Sequence, residues 1–464
     1  MPPSLDRRSA LAALASGALL SACGSMTMPS GSAPAHPPIV FVHGNGDTAA
    51  LWITTLWRFE SNGWPRERLH AVDIPYPAAR SDDAKPQPGR SSTTEAMQFL
   101  AAEVDKVLAA TGAKQVVLVG NSRGGYAIRN YIANGGGAAK VSHAVLGGTP
   151  NHGVWANAGF QPGSEFNGAG PFLTGLNAPK GAERNEVTPG VKWLTLRSDR
   201  NDKYAQPDGR WIGAPGTPTG VTFDGPALKG ATNEVLANAD HREVSFGPQA
   251  FAHTFRFITG REPATTSITP QAAIVLDGKV SGYGVDNDPA KGSDPTNLPL
   301  DGATVEVHAV DPATGERRAT VHRQTIDADG RWGPFNADPK AAYEFVVSAP
   351  GYATTHIYRS PFPRSSDIVN LRARNLTEAD RKAQAVVTLD RPRGYFGLPR
   401  DEISLDGKSP PAGVPAGVAG VSSATVRLTD GVGRAVAGAF NGERIVGRAW
   451  PVAGNELTLL ELTY

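Results

Sequence analysis

The chain has 464 residues, 40% hydrophobic and 19% charged, which is long for one ordinary domain and apolar enough to form a core. The formal net charge is only +1, and no basic run is interleaved with aromatics, so nothing marks a nucleic-acid-binding protein. With 53 Gly and 38 Pro, the chain should be rich in turns and built from short elements.

At the N-terminus, Arg7 and Arg8 precede an Ala/Leu-rich apolar stretch over 10–20, followed by Leu20-Ser21-Ala22-Cys23. A charged start, an apolar run too short to span a bilayer and then small residues predict an export signal over 1–23. The paired arginines fit a twin-arginine signal in part. Leu20-Ser21-Ala22-Cys23 resembles a bacterial lipobox, which implies that Cys23 carries a lipid and begins the mature chain. A plain cleaved signal with a chance cysteine is the alternative. Cys23 is the only cysteine, so it cannot form an intramolecular disulfide. An acyl chain there would attach the protein to a membrane without a transmembrane helix. Gly24 follows where Asp would favour retention, which leans toward the outer membrane. The expectation is an exported bacterial protein: a periplasmic or outer-membrane lipoprotein, or an extracellular one. Residues 24–37 read as a flexible tether.

From 38 to 262 short apolar runs alternate with helical stretches. Ile39-Val40-Phe41-Val42 is a buried-strand run ending in His43-Gly44-Asn45-Gly46. Residues 69–74 read as a second strand, stopped by Pro75 and Pro77. A helix follows over 94–110 with Met97, Leu100, Val104, Val107 and Leu108 on one face. Residues 116–119 form a third strand that enters Gly120-Asn121-Ser122-Arg123-Gly124 and then a helix through Ile132. Strands at 141–146 and 191–196 complete the set. Continuous Val/Ile/Leu strands separated by helices predict an α/β fold, a parallel sheet with helices on both faces.

Beyond Pro263 the pattern becomes alternating, at 273–276, 304–307, 344–347 and 425–428. Asp-Gly pairs at Asp277, Asp301, Asp329 and Asp406 punctuate it. Only a short charged stretch near 376–382 interrupts. One or two all-β sandwich modules are expected, at 263–375 and 376–464. Leu298-Pro299-Leu300-Asp301-Gly302-Ala303-Thr304-Val305, Asp329-Gly330-Arg331-Trp332 and Pro350-Gly351-Tyr352 resemble transthyretin-like, carboxypeptidase-regulatory-type domains. Such modules could bind substrate or the catalytic domain.

The chemistry centres on Gly120-Asn121-Ser122-Arg123-Gly124, a G-x-S-x-G sequence between an apolar strand and a helix. Small flanking residues let the backbone turn sharply and project the Ser122 hydroxyl as a nucleophile. A serine hydroxyl needs a base, and the base an orienting carboxylate, in the chain order serine, acid, histidine. Only His241 and His253 fall in the right window. His253 sits in a helical run with Phe251, Phe255 and Ile258 facing the core, whereas His241 lies in a polar loop before it, where the base belongs. Asp199 and Asp202 both qualify as the acid, and Asp199 could instead cap the turn. The oxyanion hole needs two backbone N–H groups. Arg123, directly after the nucleophile, and Asn45, in the loop after the first strand, are the candidates. No metal-ligand cluster is visible and no cofactor is expected.

Val40-Phe41-Val42-His43-Gly44, Gly120-Asn121-Ser122-Arg123-Gly124-Gly125 and Gly148-Thr149-Pro150-Asn151-His152-Gly153 together resemble bacterial lipases of the α/β-hydrolase superfamily over 38–260. The added β-modules are similar to an archaeal long-chain lipase architecture. Ser198-Asp199-Arg200-Asn201-Asp202 resembles the loop in which lipases place their acid, which implies Asp202. Asn121 and Asn45 depart from the family's usual histidine and apolar residue. The resemblance implies a secreted serine hydrolase acting on ester or lipid substrates through Ser122, Asp202 and His241. A polyester depolymerase would use the same triad and could dock on polymer through exposed aromatics, for which Trp332 and Tyr352 are too few to decide. A catalytically silent surface-binding lipoprotein is the alternative of another class. Residues 151–190, with Trp155, Phe160, Phe166, Phe172 and Leu173, are expected to form a lid, an acyl-binding wall or a simple surface excursion.

Overall fold

The computed structural model describes residues 36–464. The expected export signal, Cys23 and almost all of the tether lie outside the described residues. Strands β1 (Ile39–Val42), β2 (Leu69–Val72), β3 (Val116–Asn121), β4 (Val141–Gly147), β5 (Lys192–Ser198) and β6 (Thr232–Leu236) form a parallel sheet in the order β2-β1-β3-β4-β5-β6. The helices are α1 (Ile53–Ser61), α2 (Thr93–Thr111), α3 (Arg123–Asn134), α4 (Pro171–Leu176), α5 (Glu243–Phe246) and α6 (Pro248–Thr259).

Alternation along β1 assigns the two faces. Ile39 and Phe41 enter one core with Leu56 and Phe59 of α1 and Phe251 and Phe255 of α6. Val40 and Val42 enter the other with Leu100 and Val104 of α2 and Ile128 and Tyr131 of α3. Side chains of period two on a sheet buried on both sides require an unbroken apolar run, which Ile-Val-Phe-Val supplies. Helix α2 starts at a capping box, in which Ser92 accepts from the Glu95 N–H and Glu95 accepts from the Ser92 N–H, and stops at left-handed Gly112. Strand β6 was not anticipated: Thr-Asn-Glu-Val-Leu has only Leu236 buried, because it lies at the sheet edge.

The region beyond α6 is all β apart from short single turns. Its strands are β7 (Ile274–Leu276), β8 (Val280–Ser281), β9 (Thr304–Val310), β10 (Arg317–Thr325), β11 (Phe335–Ala337), β12 (Ala342–Ser348) and β13 (Thr354–Arg359). They continue with β14 (Leu371–Arg372), β15 (Ala385–Asp390), β16 (Ile403–Leu405), β17 (Ser423–Leu428), β18 (Ala435–Phe440), β19 (Glu443–Arg448) and β20 (Glu456–Glu461). One seven-stranded sheet runs β10-β9-β12-β13-β20-β15-β17, and β16-β18-β19 and the pairs β7-β11 and β8-β14 form smaller sheets. Leu389 and Leu460 of the large sheet pack on Leu405, Phe440 and Ile445 of the three-stranded one, as the two layers of a sandwich. The boundary expected at 375/376 therefore falls between strands of a single sheet: β20 pairs in parallel with β13 on one side and β15 on the other. Alternation reveals which residues form strands but not which distant strands are neighbours. Trp332 and Tyr352, at 0% and 5% exposure, belong to the interior and form no docking row.

The β-region packs on α1. The core face of Phe41 and Phe251 continues without a break into Ile274, Val305, Trp332 and Phe362. Trp57 meets Phe362 edge-on at 6.5 Å and donates to the Ser365 carbonyl, 2.8 Å. Arg58 donates to the Thr266 carbonyl, and Arg364 pairs with Glu60 at 3.0 Å. Among the described residues no helix is long and apolar enough to cross a membrane.

Candidate active site

Ser122 stands where β3 ends and α3 begins, with φ 51° and ψ −120°, a backbone state that side chains other than glycine rarely adopt. Its neighbours explain how the turn is tolerated. A Cβ on Gly120 would lie 2.9 Å from the Gly124 carbonyl carbon, and one on Gly124 would lie 2.3 Å from the Val42 carbonyl oxygen. A Cβ on Gly125 would collide with Thr149 Oγ1 at 1.9 Å. The glycines let the Ser122 turn lie directly against β1 and the Gly148-Thr149-Pro150 segment.

His241 lies in the loop between β6 and α5, and Asp202 in the loop after β5. His241 Nδ1 donates to both carboxylate oxygens of Asp202, at 2.8 and 2.9 Å, and the pair is buried. Asp202 Oδ1 also accepts from the Tyr204 N–H, 2.8 Å, and the Tyr204 ring meets the His241 ring edge-on at 4.6 Å. The Nδ1–Asp202 hydrogen bond fixes the imidazole tautomer, leaving Nε2 as the acceptor nitrogen. Nε2 has no hydrogen-bond partner among the described residues. Asp199 has a different use: its Oδ1 accepts from the Arg200 and Asn238 N–H groups and closes the turn. His253 is on α6, where Nδ1 accepts from Arg256 at 2.9 Å.

The Asn45 side chain accepts from the Ala79 N–H, 2.7 Å, and His43 Nε2 accepts from the Ile74 N–H, 3.1 Å, so the loop after β1 is tied on both sides. Burial pushes the His43 imidazole down, favouring the neutral acceptor form that this contact needs. The Gly46 N–H goes to the Pro77 carbonyl and the Asp47 N–H to the Gly44 carbonyl, whereas the Asn45 and Arg123 N–H groups have no partner among the described residues. Two free backbone donors flanking a serine are what an oxyanion hole requires.

The surrounding polar residues were not legible as such. Asn121 donates through Nδ2 to the Gly147 and His241 carbonyls and to Ser245 Oγ, at 3.3, 3.2 and 2.8 Å, tying the end of β3 to the loop that carries His241. The Arg123 guanidinium is buried. It forms a two-pronged pair with Glu165 at 2.8 and 2.9 Å and donates to Pro77 O and to Ser91 O and Oγ, which uses all five donors. Burial pushes the Glu165 carboxyl up, against the downward pull of Arg123. Arg242 pairs with Asp47 and lies over the Tyr395 ring at 4.7 Å.

A cavity of about 140 Å³ opens beside Ser122 and His241. Val154, Trp155 and Phe166 from the 151–190 segment form one wall. Tyr204, Trp211 and Ile212 form another, and Tyr395 from the β-region completes it. Lys203, next to Asp202, lies over the Tyr395 ring at 4.0 Å and donates to the Gly420 carbonyl at 2.9 Å; burial pushes its ammonium down to about 8. No group of metal-binding side chains occurs among the described residues.

Several solved structures resemble the chain. A lipase of Bacillus licheniformis, BlEst2 in mature form, is 19% identical, with 49% of this chain and 94% of that one covered and a TM-score of 0.35. Aspergillus fumigatus lipase B is 15% identical, with 50% and 54% covered and a TM-score of 0.33. The Bacillus subtilis carboxylesterase CesB (YbfK) is 16% identical, with 49% and 86% covered and a TM-score of 0.27. Residues 37–164 match the alpha/beta hydrolase fold family, and residues 272–376 match the lipase C-terminal domain. Residues 37–164 are therefore similar to alpha/beta hydrolases, in keeping with the parallel sheet that they begin, and residues 272–376 are similar to the C-terminal domain of lipases.

Proposed function

We propose that the protein hydrolyses carboxylic esters through an acyl-enzyme on Ser122. The observation that carries this reading is the His241–Asp202 hydrogen bond of 2.8 Å, facing the same cavity as Ser122. His241 Nε2 takes the Ser122 proton as Oγ attacks the ester carbonyl carbon. The negative charge that develops on the carbonyl oxygen is held by the Asn45 and Arg123 N–H groups, and Asp202 stabilises the imidazolium. The alcohol leaves with the proton from His241. Water, deprotonated by His241, then attacks the acyl carbon, and Ser122 recovers its proton as the acid is released.

The cavity favours a substrate class. Space of about 140 Å³ walled by Trp155, Phe166 and Trp211 suits short or compact acyl groups better than long chains. Nitrophenyl esters from acetate to laurate test this. The expected result is an optimum at short acyl length, and turnover lost in Ser122→Ala with the fold retained, by about 10⁴-fold or more. Equal activity in wild type and Ser122→Ala would overturn the nucleophile assignment, and an optimum at laurate would overturn the acyl preference.

We also propose export and lipid attachment at Cys23, on the strength of Leu20-Ser21-Ala22-Cys23 after an apolar run. The expected result is that the protein from cells partitions into detergent and Cys23→Ser does not. Equal partitioning of the two would refute it.

A further inference from the structure

The loops carrying His241 and Asp202 are both held from outside the hydrolase domain, by residues 391–420 of the β-region. Asp240 and Glu243 form a reciprocal cap around His241: Asp240 Oδ1 accepts from the Glu243 N–H at 3.0 Å and Glu243 Oε2 from the Asp240 N–H at 2.8 Å. An ordinary cap of this kind closes on itself at the surface. Here Asp240 is fully buried, and its second oxygen accepts from Arg391 Nη1 and the Tyr395 N–H, both at 2.8 Å. Arg391 also pairs with Glu243. Arg400 donates to Glu243 at 2.7 Å, to the Asn238 carbonyl at 3.2 Å and to Asp401 at 2.8 Å.

The acid loop has a matching attachment. Asn201, which precedes Asp202, accepts from the Ala419 N–H at 2.9 Å and donates to the Asn238 carbonyl at 3.0 Å. Lys203, which follows Asp202, donates to the Gly420 carbonyl. Asn238 itself has φ 57°, a left-handed turn that asparagine takes more readily than most side chains, and its carbonyl accepts from both Asn201 and Arg400. Two loops from different strands, each with little regular structure, therefore meet through a common third body.

We propose that Arg391 and Arg400 are positioning residues that set the His241–Asp202 geometry, so that the β-region is an integral part of the catalytic centre. This rests on the ester-hydrolase reading for its activity readout, but the geometry can be measured without turnover. Nothing in either arginine reaches the reacting atoms. They act through Asp240 and Glu243, which bracket His241. An unanchored loop would let the imidazole wander, and misplacement by about 1 Å costs about 100-fold in rate.

The test uses the full chain with Arg391→Ala, Arg391→Lys, Arg400→Gln and Arg400→Lys, each checked for folding by thermal melting. Arg391→Ala exposes the buried Asp240 charge and is the variant most at risk of unfolding, whereas Arg400→Gln leaves Arg391 in place. In folded Arg391→Ala and Arg400→Gln, kcat should fall by about 10- to 100-fold with KM within about twofold, and the corresponding lysine variants should recover part of it. The downfield proton resonance of His241 Nδ1–H, assigned with Asp202→Asn, should broaden or vanish in Arg400→Gln. If wild type proves inert toward esters while that resonance still depends on Arg400, positioning stands and the hydrolase reading fails. An unchanged resonance with unchanged kcat in folded Arg400→Gln would overturn the proposal.

Discussion

The turn at Ser122 works because three glycines leave no room for anything else. A methyl group on Gly124 would sit 2.3 Å from the Val42 oxygen and 2.6 Å from the His43 oxygen, both backbone atoms that cannot swing aside. Gly124→Ala should therefore destabilise the protein by about 3 kcal/mol, read as a lowered urea midpoint. A midpoint equal to wild type would mean that the backbone of β1 yields. Ser122, the glycines and the two loop positions were legible because steric rules act on neighbours in sequence. In the sequence only the resemblance of their loop favoured Asp202 over Asp199; in three dimensions Asp199 closes its own turn and Asp202 meets His241. The partners of Arg123 were hidden for the same reason. Glu165 lies 42 residues away, and nothing local marks a glutamate destined for burial.

Among elements, the 151–190 segment behaves as a wall. Its Glu165 is locked to Arg123, Val154 donates to the Phe166 carbonyl at 2.9 Å, and Asn167 Nδ2 donates to three backbone carbonyls of the same segment. Phe166 and Phe172 pack on Tyr126 of α3 at 5.9 and 5.7 Å. A segment held by a buried ion pair is costly to lift, because parting the charges leaves each without a partner. Activity on a soluble ester should therefore rise smoothly through its solubility limit, with no jump as droplets form. Glu165→Gln should cost about 3 kcal/mol of stability, checked by urea unfolding. A sharp rise at the droplet threshold would show that the segment opens. Strands and helices with one clear period were legible, whereas β6 was not, since an edge strand with four of five residues partly or fully exposed carries no apolar run.

At the scale of the whole molecule, the hydrolase and β-regions share one apolar core across α1, so thermal unfolding of the full chain should be a single transition. Two well-separated calorimetric peaks would show that the halves melt independently. The β-region adds a pH dependence of its own. Glu344 is buried beside Arg317 and His356, and its carboxyl is held down at about 2 from an ordinary 4.5. A carboxylate depressed in the folded state contributes stability above its unfolded pKa, and that contribution is lost as the pH falls from about 4.5 toward 2. The loss should reach about 3 kcal/mol, and Glu344→Gln should flatten that part of the stability profile. An unchanged profile would assign the acid sensitivity to other groups.

Strand β20 has a consequence for how the chain is made. It lies between β13 and β15, yet follows β13 in sequence by about a hundred residues. During vectorial synthesis at roughly 5–20 residues per second, β13 emerges ~5–20 s before its neighbour exists. Throughout that interval an open strand edge faces the cell, the kind of surface on which chains stick to one another. The nascent protein is thus exposed at its future centre, and a holding chaperone or slow, dilute expression should matter more to its yield than the stability of the finished fold.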